Sequence, residues 1–311
     1  MIVVNIMGPV ILLVALGAAL RRGGFADEAF FRGMNKLVFW VGLPCFLFIS
    51  TAQPLQNLGA AAPMFLALLG VSAAVVAAAY VTGWGLRLPR RSLGAFVQAA
   101  FRGNLAYVGV PIVLFAIAAE GGGQAFKDVA FLVIAPLILV YNVTAVLVLV
   151  AGAGQAGTPL GRQMRSIVTH TVSNPLLLAT AAGLAWAATG WRLPLLVDRT
   201  LTGVGQISSP LALIGLGAML SFASVRGQAV RTAAGALLKT GFGPLAAWLI
   251  GTAMGLGPGE LRVVLIYAAC PTAAAAFVMA EQMGADHLLT NGIVVVSVVL
   301  AVPALVVVLL I

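Results

Sequence analysis

Long apolar runs separated by short polar gaps dominate the sequence. Ten runs have about the length, roughly 20 residues, that a helix needs to cross the hydrocarbon core of a bilayer. Charged residues make up only 8% of the chain, against about a quarter in a soluble domain. A water-facing surface cannot be covered by such a small number of charges. The series of long apolar runs therefore predicts an all-α polytopic membrane protein. The predicted spans are 2–20, 35–53, 62–86, 94–118, 127–151, 172–189, 198–221, 229–255, 260–284 and 288–311.

The positive charges are divided unevenly between the two sides of the predicted helix bundle. Loops after the odd-numbered spans carry eleven Lys and Arg residues, and the opposite loops carry four. By the positive-inside rule the richer loops face the cytoplasm, which leaves both termini outside. The net charge of +9 therefore reflects topology, and no nucleic-acid partner is expected. We expect a multi-pass protein of the plasma membrane, the inner membrane of a bacterium.

A short Gly-rich polar stretch between spans 5 and 6 divides the chain into two halves of five spans. Pro44 and Pro210, and then Pro111 and Pro271, occupy comparable places in the second and fourth spans of the halves. An odd number of spans inserts a duplicated half upside down, which is the inverted-repeat plan of many secondary transporters. Coincidence among 15 prolines is the alternative. The predicted parts are a first repeat, a cytoplasmic linker and a second, inverted repeat, at residues 1–151, 152–171 and 172–311.

Spans 4 and 9 are interrupted at corresponding places. Asn104 and Pro111 lie within span 4, and Pro271 and Thr272 lie within span 9. Prolines and glycines are poor material for a continuous helix. In lipid, a broken backbone persists only where protein or a water-filled cavity satisfies the freed groups. An ordinary proline kink explains either proline alone, but the matched pair predicts broken, crossing helices and a transport site.

The direction of the two spans predicts what this site binds. Helices that resume after Pro111 and after Pro271 both begin near the middle of the membrane. A helix N-terminus carries about half a positive charge and unpaired N–H groups, so two of them facing one point make an anion site. All eight acidic residues lie at span ends or in loops. A cation antiporter or a proton relay built on buried carboxylates is therefore disfavoured.

Polar residues at membrane depth near the two breaks are the candidates for substrate contact. Asparagine is costly to bury, and Gln98 and Arg102 share a helical face because they are four residues apart. Lys239 is the other basic residue at depth, and its long stem allows either a place at the site or snorkelling to the cytoplasmic surface. The predicted substrate-binding residues are Gln98, Arg102, Asn104, Pro111, Asn142, Pro271 and Thr272.

Catalytic and cofactor-binding patterns are missing from the sequence. The two histidines lie in predicted loops, the two cysteines stand apart, and no phosphate-binding loop occurs. We therefore expect no cofactor, no metal site and no enzymatic activity.

Several short motifs follow one another along almost the whole chain. They are residues 35–44, Asn104 to Pro111, Asn142-Val143-Thr144, Asn174-Pro175, Pro210 to Leu213, Lys239 with Pro244, and Pro271-Thr272 followed by Gly284 and Asp286. In order and spacing they resemble the auxin efflux carrier family, especially its bacterial branch of malonate and malate permeases.

The resemblance implies ten helices in two inverted repeats, with a scaffold part and a transport part that contains the two broken spans. It also implies transport of an organic anion by an elevator-like motion, commonly in a dimer. Crossover roles fall on Asn104, Pro111 and Pro271, and a substrate-lining role falls on Asn142. The chain lacks the long central loop of the eukaryotic carriers, so a small mono- or dicarboxylate is expected in preference to auxin.

Two other functions remain open at the level of sequence. One is a sodium-coupled carrier of the bile-acid type, in which carbonyls and hydroxyls of broken helices coordinate the ion. The other is a channel or a membrane-embedded enzyme, and the absence of His, Cys and acid clusters disfavours the enzyme.

Overall fold

The computed structural model of the chain consists almost entirely of helices. It describes residues 2–52, 58–109, 112–113, 116, 133–153, 175–218 and 227–310. The helices within these ranges are α1 (Ile2–Arg22), α2 (Glu28–Leu37), α3 (Leu43–Thr51), α4 (Leu58–Gly85), α5 (Arg90–Phe101), α6 (Ile134–Ala153), α7 (Pro175–Ala188), α8 (Leu195–Gln206), α9 (Ser208–Ala218), α10 (Ala229–Leu237), α11 (Gly243–Ala253), α12 (Pro258–Ala269), α13 (Ala274–Gln282) and α14 (His287–Leu310).

Four helical stretches in the described ranges are long and apolar enough to cross a membrane unaided, which agrees with a multi-pass membrane protein. They are Glu28–Ile49, Ala61–Gly85, Ala229–Ala253 and His287–Leu310. Each of the ten predicted spans contains at least part of a helix. The helix of the second predicted span (35–53) starts earlier than predicted, at Glu28. It starts there because the Asp27 carboxylate accepts the N–H of Phe30 at 2.9 Å and caps the helix.

Two of these long stretches contain a π-helical turn that ends two residues before a proline. The turn Val38–Gly42 precedes Pro44, and the turn Leu238–Phe242 precedes Pro244. Proline has no N–H to donate, and its ring clashes with the carbonyl four residues earlier. The helix therefore widens for one turn and continues. The second turn matters for the site because it contains Lys239.

Glycines bring pairs of helices into close backbone contact. A β-carbon on Gly17 of α1 would overlap the backbone of Ile214 in α9, and one on Gly217 of α9 would overlap the backbone of Val14 in α1. A β-carbon on Gly183 of α7 would likewise overlap Thr51 of α3. Small residues allow this approach, and close packing is the main force that joins helices in lipid.

The helices form two groups. We call α1, α2, α3, α7, α8 and α9 the panel helices, since α1 packs on α9 and α3 packs on α7 and α8. The crossing helices are α4, α5, α6, α10, α11, α12, α13 and α14; α5 packs on α4, α6 and α14, and α12 packs on α11 and α14. The groups meet where α9 contacts α13 and α1 contacts α14.

We expect Gly217→Ala to destabilise the protein, because the new methyl group would overlap the Val14 carbonyl in the α1–α9 contact. Overpacking of this kind costs about 1–3 kcal/mol in free energy of unfolding. Gly203→Ala is the matched control, since a β-carbon on Gly203 in α8 meets no atom within 4 Å. Thermal unfolding of both variants in detergent tests the contact, and equal melting temperatures would contradict it.

Candidate functional site

The interruptions of spans 4 and 9 meet in the middle of the crossing helices. Helix α5 ends at Phe101 and helix α12 ends at Ala269. The chain then runs extended on both sides, and Gly103 lies opposite Thr272 in an isolated antiparallel bridge.

Two backbone hydrogen bonds flank this bridge. The N–H of Asn104 donates to the carbonyl of Pro271 at 2.8 Å, and the N–H of Ala273 donates to the carbonyl of Arg102 at 2.9 Å. Each extended segment thus pairs the backbone groups that the other one frees. Such pairing is required where no water is available to satisfy them.

The carbonyl ends of the two broken helices are capped by side chains. The hydroxyl of Thr272 donates to the carbonyl of Ala99 in α5 at 2.8 Å. The ammonium of Lys239 donates to the carbonyl of Ala268 in α12 at 2.6 Å. Lys239 is only 3% exposed, so it does not snorkel to the cytoplasmic surface.

Beyond the crossing, α13 begins at Ala274 with its first turn uncapped by any side chain. The first N–H groups of a helix have no partner within the helix, and the positive end of the helix dipole lies there. Residues Ala273, Ala274 and Ala275 line a cavity. The N-terminus of α13 therefore lies at this cavity.

In span 4 the helix resumes earlier than the sequence analysis predicts. A π-helical turn, Leu105–Gly109, begins directly after Asn104, whose carbonyl accepts the N–H of Val108 at 3.2 Å. The break is thus set by the extended pairing of residues 102–104, and the chain is helical before it reaches Pro111. Pro111 itself lies outside the described residues, as does Asn174 of the motif Asn174-Pro175.

The cavity lies between the panel helices and the crossing helices. About 70 Å³ of it can hold the centre of a water molecule, and one water needs roughly 10–15 Å³ on that measure. There is consequently room for several waters or for a small organic molecule. The lining residues are Leu43, Phe46, Leu47, Ser208 and Ala212 from the panel helices, and Arg102, Gly103, Asn104, Leu105, Ile138, Tyr141, Asn142, Ala273, Ala274 and Ala275 from the other side.

Arg102 gives this cavity a buried positive charge. The side chain is 6% exposed, and its Nη2 donates to Oδ1 of Asn142 at 2.6 Å. Its Nη1 contacts the sulfur of Met279. In the part of the chain that the structure describes, the ion pairs join Glu28 to Arg21 and Arg32, and none involves Arg102.

Two further polar atoms in the lining have no hydrogen-bond partner among the described residues. They are Nδ2 of Asn142 and Oγ of Ser208, and both side chains are fully buried. An unsatisfied buried polar group costs about 1–3 kcal/mol. A ligand oxygen in the cavity would accept a hydrogen bond from either of them. The side chain of Asn104, 6% exposed, also lines the cavity.

The residues predicted from sequence to bind substrate occupy three kinds of position: some line the cavity, some lie behind the lining, and Gln98 is buried elsewhere. Arg102, Asn104 and Asn142 lie together in the cavity lining. Pro271 and Thr272 lie behind that lining, where they hold the crossing together.

Gln98 is buried outside the lining, and its Nε2 lies 3.7 Å from the sulfur of Met279.

Sequence reasoning did not assign Ser208 to the site. Its signal was its place two residues before Pro210 in span 7, the predicted repeat counterpart of Pro44 in span 2.

The sequence of the chain is similar to those of known membrane transporters. The sequence profile of the membrane transport protein family matches residues 2–309. A protein of Rhizobium meliloti (strain 1021) named "Putative malonate transporter" is 23% identical over 264 residues, which cover 81% of this chain and 77% of that protein. A protein of Oryza sativa subsp. japonica named "Probable auxin efflux carrier component 5c" is 29% identical over 157 residues, which cover 48% of this chain and 42% of that protein.

The family profile covers almost the entire chain, including the panel helices and both interrupted spans. The motifs identified in the sequence led to the same family, and transporters, not enzymes, are named among the relatives. The chain therefore belongs to the membrane transport protein family, the family of the auxin efflux carriers, and is a multi-pass membrane transporter.

Proposed function

We propose that the protein is a secondary active transporter of a small organic anion, such as a mono- or dicarboxylate, which binds in the cavity beside the crossing. The observation that carries this proposal is the buried guanidinium of Arg102, which lines the cavity without a carboxylate partner among the described residues. Guanidinium binds carboxylates through paired, charge-assisted hydrogen bonds. A substrate carboxylate supplies the missing negative charge.

The neighbours of Arg102 support an anion in the same place. The N-terminus of α13 lies at the cavity, and the unpartnered Nδ2 of Asn142 and Oγ of Ser208 are hydrogen-bond donors there. A space of about 70 Å³ suits a small substrate. Malonate, in the name of the Rhizobium relative, is a small dicarboxylate and is the first compound to test.

The proposal includes ten spans in two inverted repeats, residues 1–151 and 172–311, joined by a cytoplasmic linker at 152–171. The packing of the helices supports it. An inverted repeat exchanges spans 1 and 6, and spans 2 and 7. The contact of α1 with α9, between spans 1 and 7, then corresponds to the contact of α7 with α3, between spans 6 and 2. Glycines mediate both contacts.

An elevator-like motion is the proposed transport step. The cavity has one wall of panel helices, with Ser208, and one wall of crossing helices, with Arg102. Sliding of the crossing helices along a fixed panel would carry the anion with Arg102 and separate it from Ser208. The panel wall of the cavity is mostly apolar, with Leu43 and Leu47, and the hydrogen bond from Asn35 in α2 to Glu281 in α13 would break during such sliding.

Two contacts near the predicted loops after spans 1, 3 and 9 support the proposed orientation, with both termini outside the bacterial inner membrane. Asn35 donates to the carboxylate of Glu281 at 3.0 Å, and Ser92 donates to the carboxylate of Asp286 at 2.7 Å. The regions that follow spans 1, 3 and 9 thus gather at one end of the molecule, together with the basic residues of the regions after spans 1 and 3. This is the arrangement of a cytoplasmic face. We further propose a homodimer, in keeping with the family resemblance.

We expect Arg102→Gln to reduce uptake of labelled malonate into proteoliposomes by at least about 30-fold, because the charge pair with the substrate is worth roughly 2–5 kcal/mol. Arg102→Lys keeps the charge but loses the paired geometry, so its uptake should lie in between. Arg192→Gln, at an exposed loop position, is the control and should match wild type. Wild-type uptake by Arg102→Gln would contradict an anion site at this residue.

We expect Ser208→Ala to weaken malonate binding by at least about tenfold, since a hydrogen bond to a charged group contributes roughly 1.5–3 kcal/mol. Thr200→Ala is the control, because the exposed Thr200 hydroxyl donates to the carbonyl of Leu196 within its own helix, away from the cavity lining. Binding is measured by calorimetry, and as the rise of the melting temperature with malonate concentration. Equal affinities of the two variants would place the substrate away from Ser208. Malate and indole acetate, tested alongside, define the substrate class.

A further inference from the structure

Lys239 is a second buried cation, and the anion site does not use it. It lies in the π-helical turn Leu238–Phe242 and is 3% exposed. It is absent from the cavity lining. No ion pair among the described residues includes it, and its ammonium donates to the carbonyl of Ala268 at 2.6 Å. A buried charge without a carboxylate partner is costly in free energy. The question is therefore why the Ala268 carbonyl is available to Lys239.

The Ala268 carbonyl is one of the last four of helix α12, which have no partner within a helix that ends. In a continuous helix the N–H of Thr272 would reach it. Here that N–H donates to the hydroxyl of Ser297 at 3.0 Å instead. The break in the helix therefore leaves the Ala268 carbonyl for Lys239.

The same ammonium lies close to the end of the other broken helix. A β-carbon on Gly103, two residues after α5 ends, would lie 3.4 Å from Nζ and 3.2 Å from Cε of Lys239. The side chain thus lies against both sides of the crossing. Each helix C-terminus carries about half a negative charge, so the two ends together offer about one charge to a cation between them.

We infer that the Lys239 ammonium is the resident cation of the crossing, where it neutralises the carbonyl ends of both broken helices and makes transport independent of sodium. In sodium-coupled carriers, such carbonyl ends are the groups that coordinate the ion. Here Lys239 occupies them, and its positive charge repels a second cation. The sodium clause rests on the proposed function, whereas the role of Lys239 at the helix ends does not.

The first experiment measures thermal unfolding of purified Lys239→Ala in choline chloride. We expect its melting temperature to fall by roughly 2–10 °C, from the loss of the partner of a buried carbonyl. Ethylammonium, which carries the lost charge, should raise it again with increasing concentration. Ethanol at the same concentrations is the neutral control. An equal response to ethylammonium and ethanol, or an unchanged melting temperature in the variant, would overturn the inference.

A second pair of variants serves if Lys239→Ala does not fold. Lys239→Arg keeps a cation at the helix ends, and Lys239→Met keeps the apolar stem without the charge. The inference expects the arginine variant to be the more stable of the two. The opposite order would show that only the stem of Lys239 matters, and would overturn it.

The transport arm compares initial rates of malonate uptake by wild type in sodium chloride and in choline chloride at equal ionic strength. We expect the rates to agree within about twofold, and a tenfold or greater loss in choline would overturn sodium independence. Absence of uptake in both salts contradicts the proposed malonate transport. The unfolding measurements then decide the role of Lys239 without it.

Discussion

The antiparallel pairing of residues 102–104 with residues 271–273 is the interaction on which the rest of this structure depends. Inside a bilayer, a helix can break only where protein groups or a water-filled cavity satisfy its freed backbone. Each broken span supplies the partners that the other requires, through the Asn104–Pro271 and Ala273–Arg102 hydrogen bonds. Together the two breaks create helix ends deep within the protein.

Those helix ends explain where the two buried cations lie. The negative, carbonyl ends take Lys239, through Ala268, while Thr272 caps Ala99. On the cavity side, Arg102 lies beside the uncapped N-terminus of α13, where positive charge accumulates without a carboxylate among the described residues. The proposed function follows from this asymmetry, since an anion is the partner that the cavity lacks. In the proposed transport cycle, the negative charge of the substrate also balances the positive charge of Arg102 and of the α13 N-terminus.

The sequence predicted much of the helical structure and some of the residues that line the candidate site. Helices are found in every predicted span because the apolar runs have the length that a bilayer demands. Arg102, Asn104 and Asn142 were recognisable because polar residues in such runs are costly to bury. Ser208 was not assigned to the site, because a lone serine in a membrane helix usually bonds its own backbone or a neighbouring helix. Only the packing of α9 against the crossing brings its hydroxyl into the cavity.

By itself, the sequence determined that the chain is a membrane protein and predicted interruptions in two of its spans, because hydropathy and helix-breaking residues are local properties. The tertiary structure alone decided which carbonyl each polar side chain caps. It placed Thr272 on Ala99 and Lys239 on Ala268, and it resumed the helix at Leu105, before Pro111. These outcomes depend on pairing between segments about 170 residues apart. Local periodicity contains no information about which distant backbone group will satisfy a broken helix.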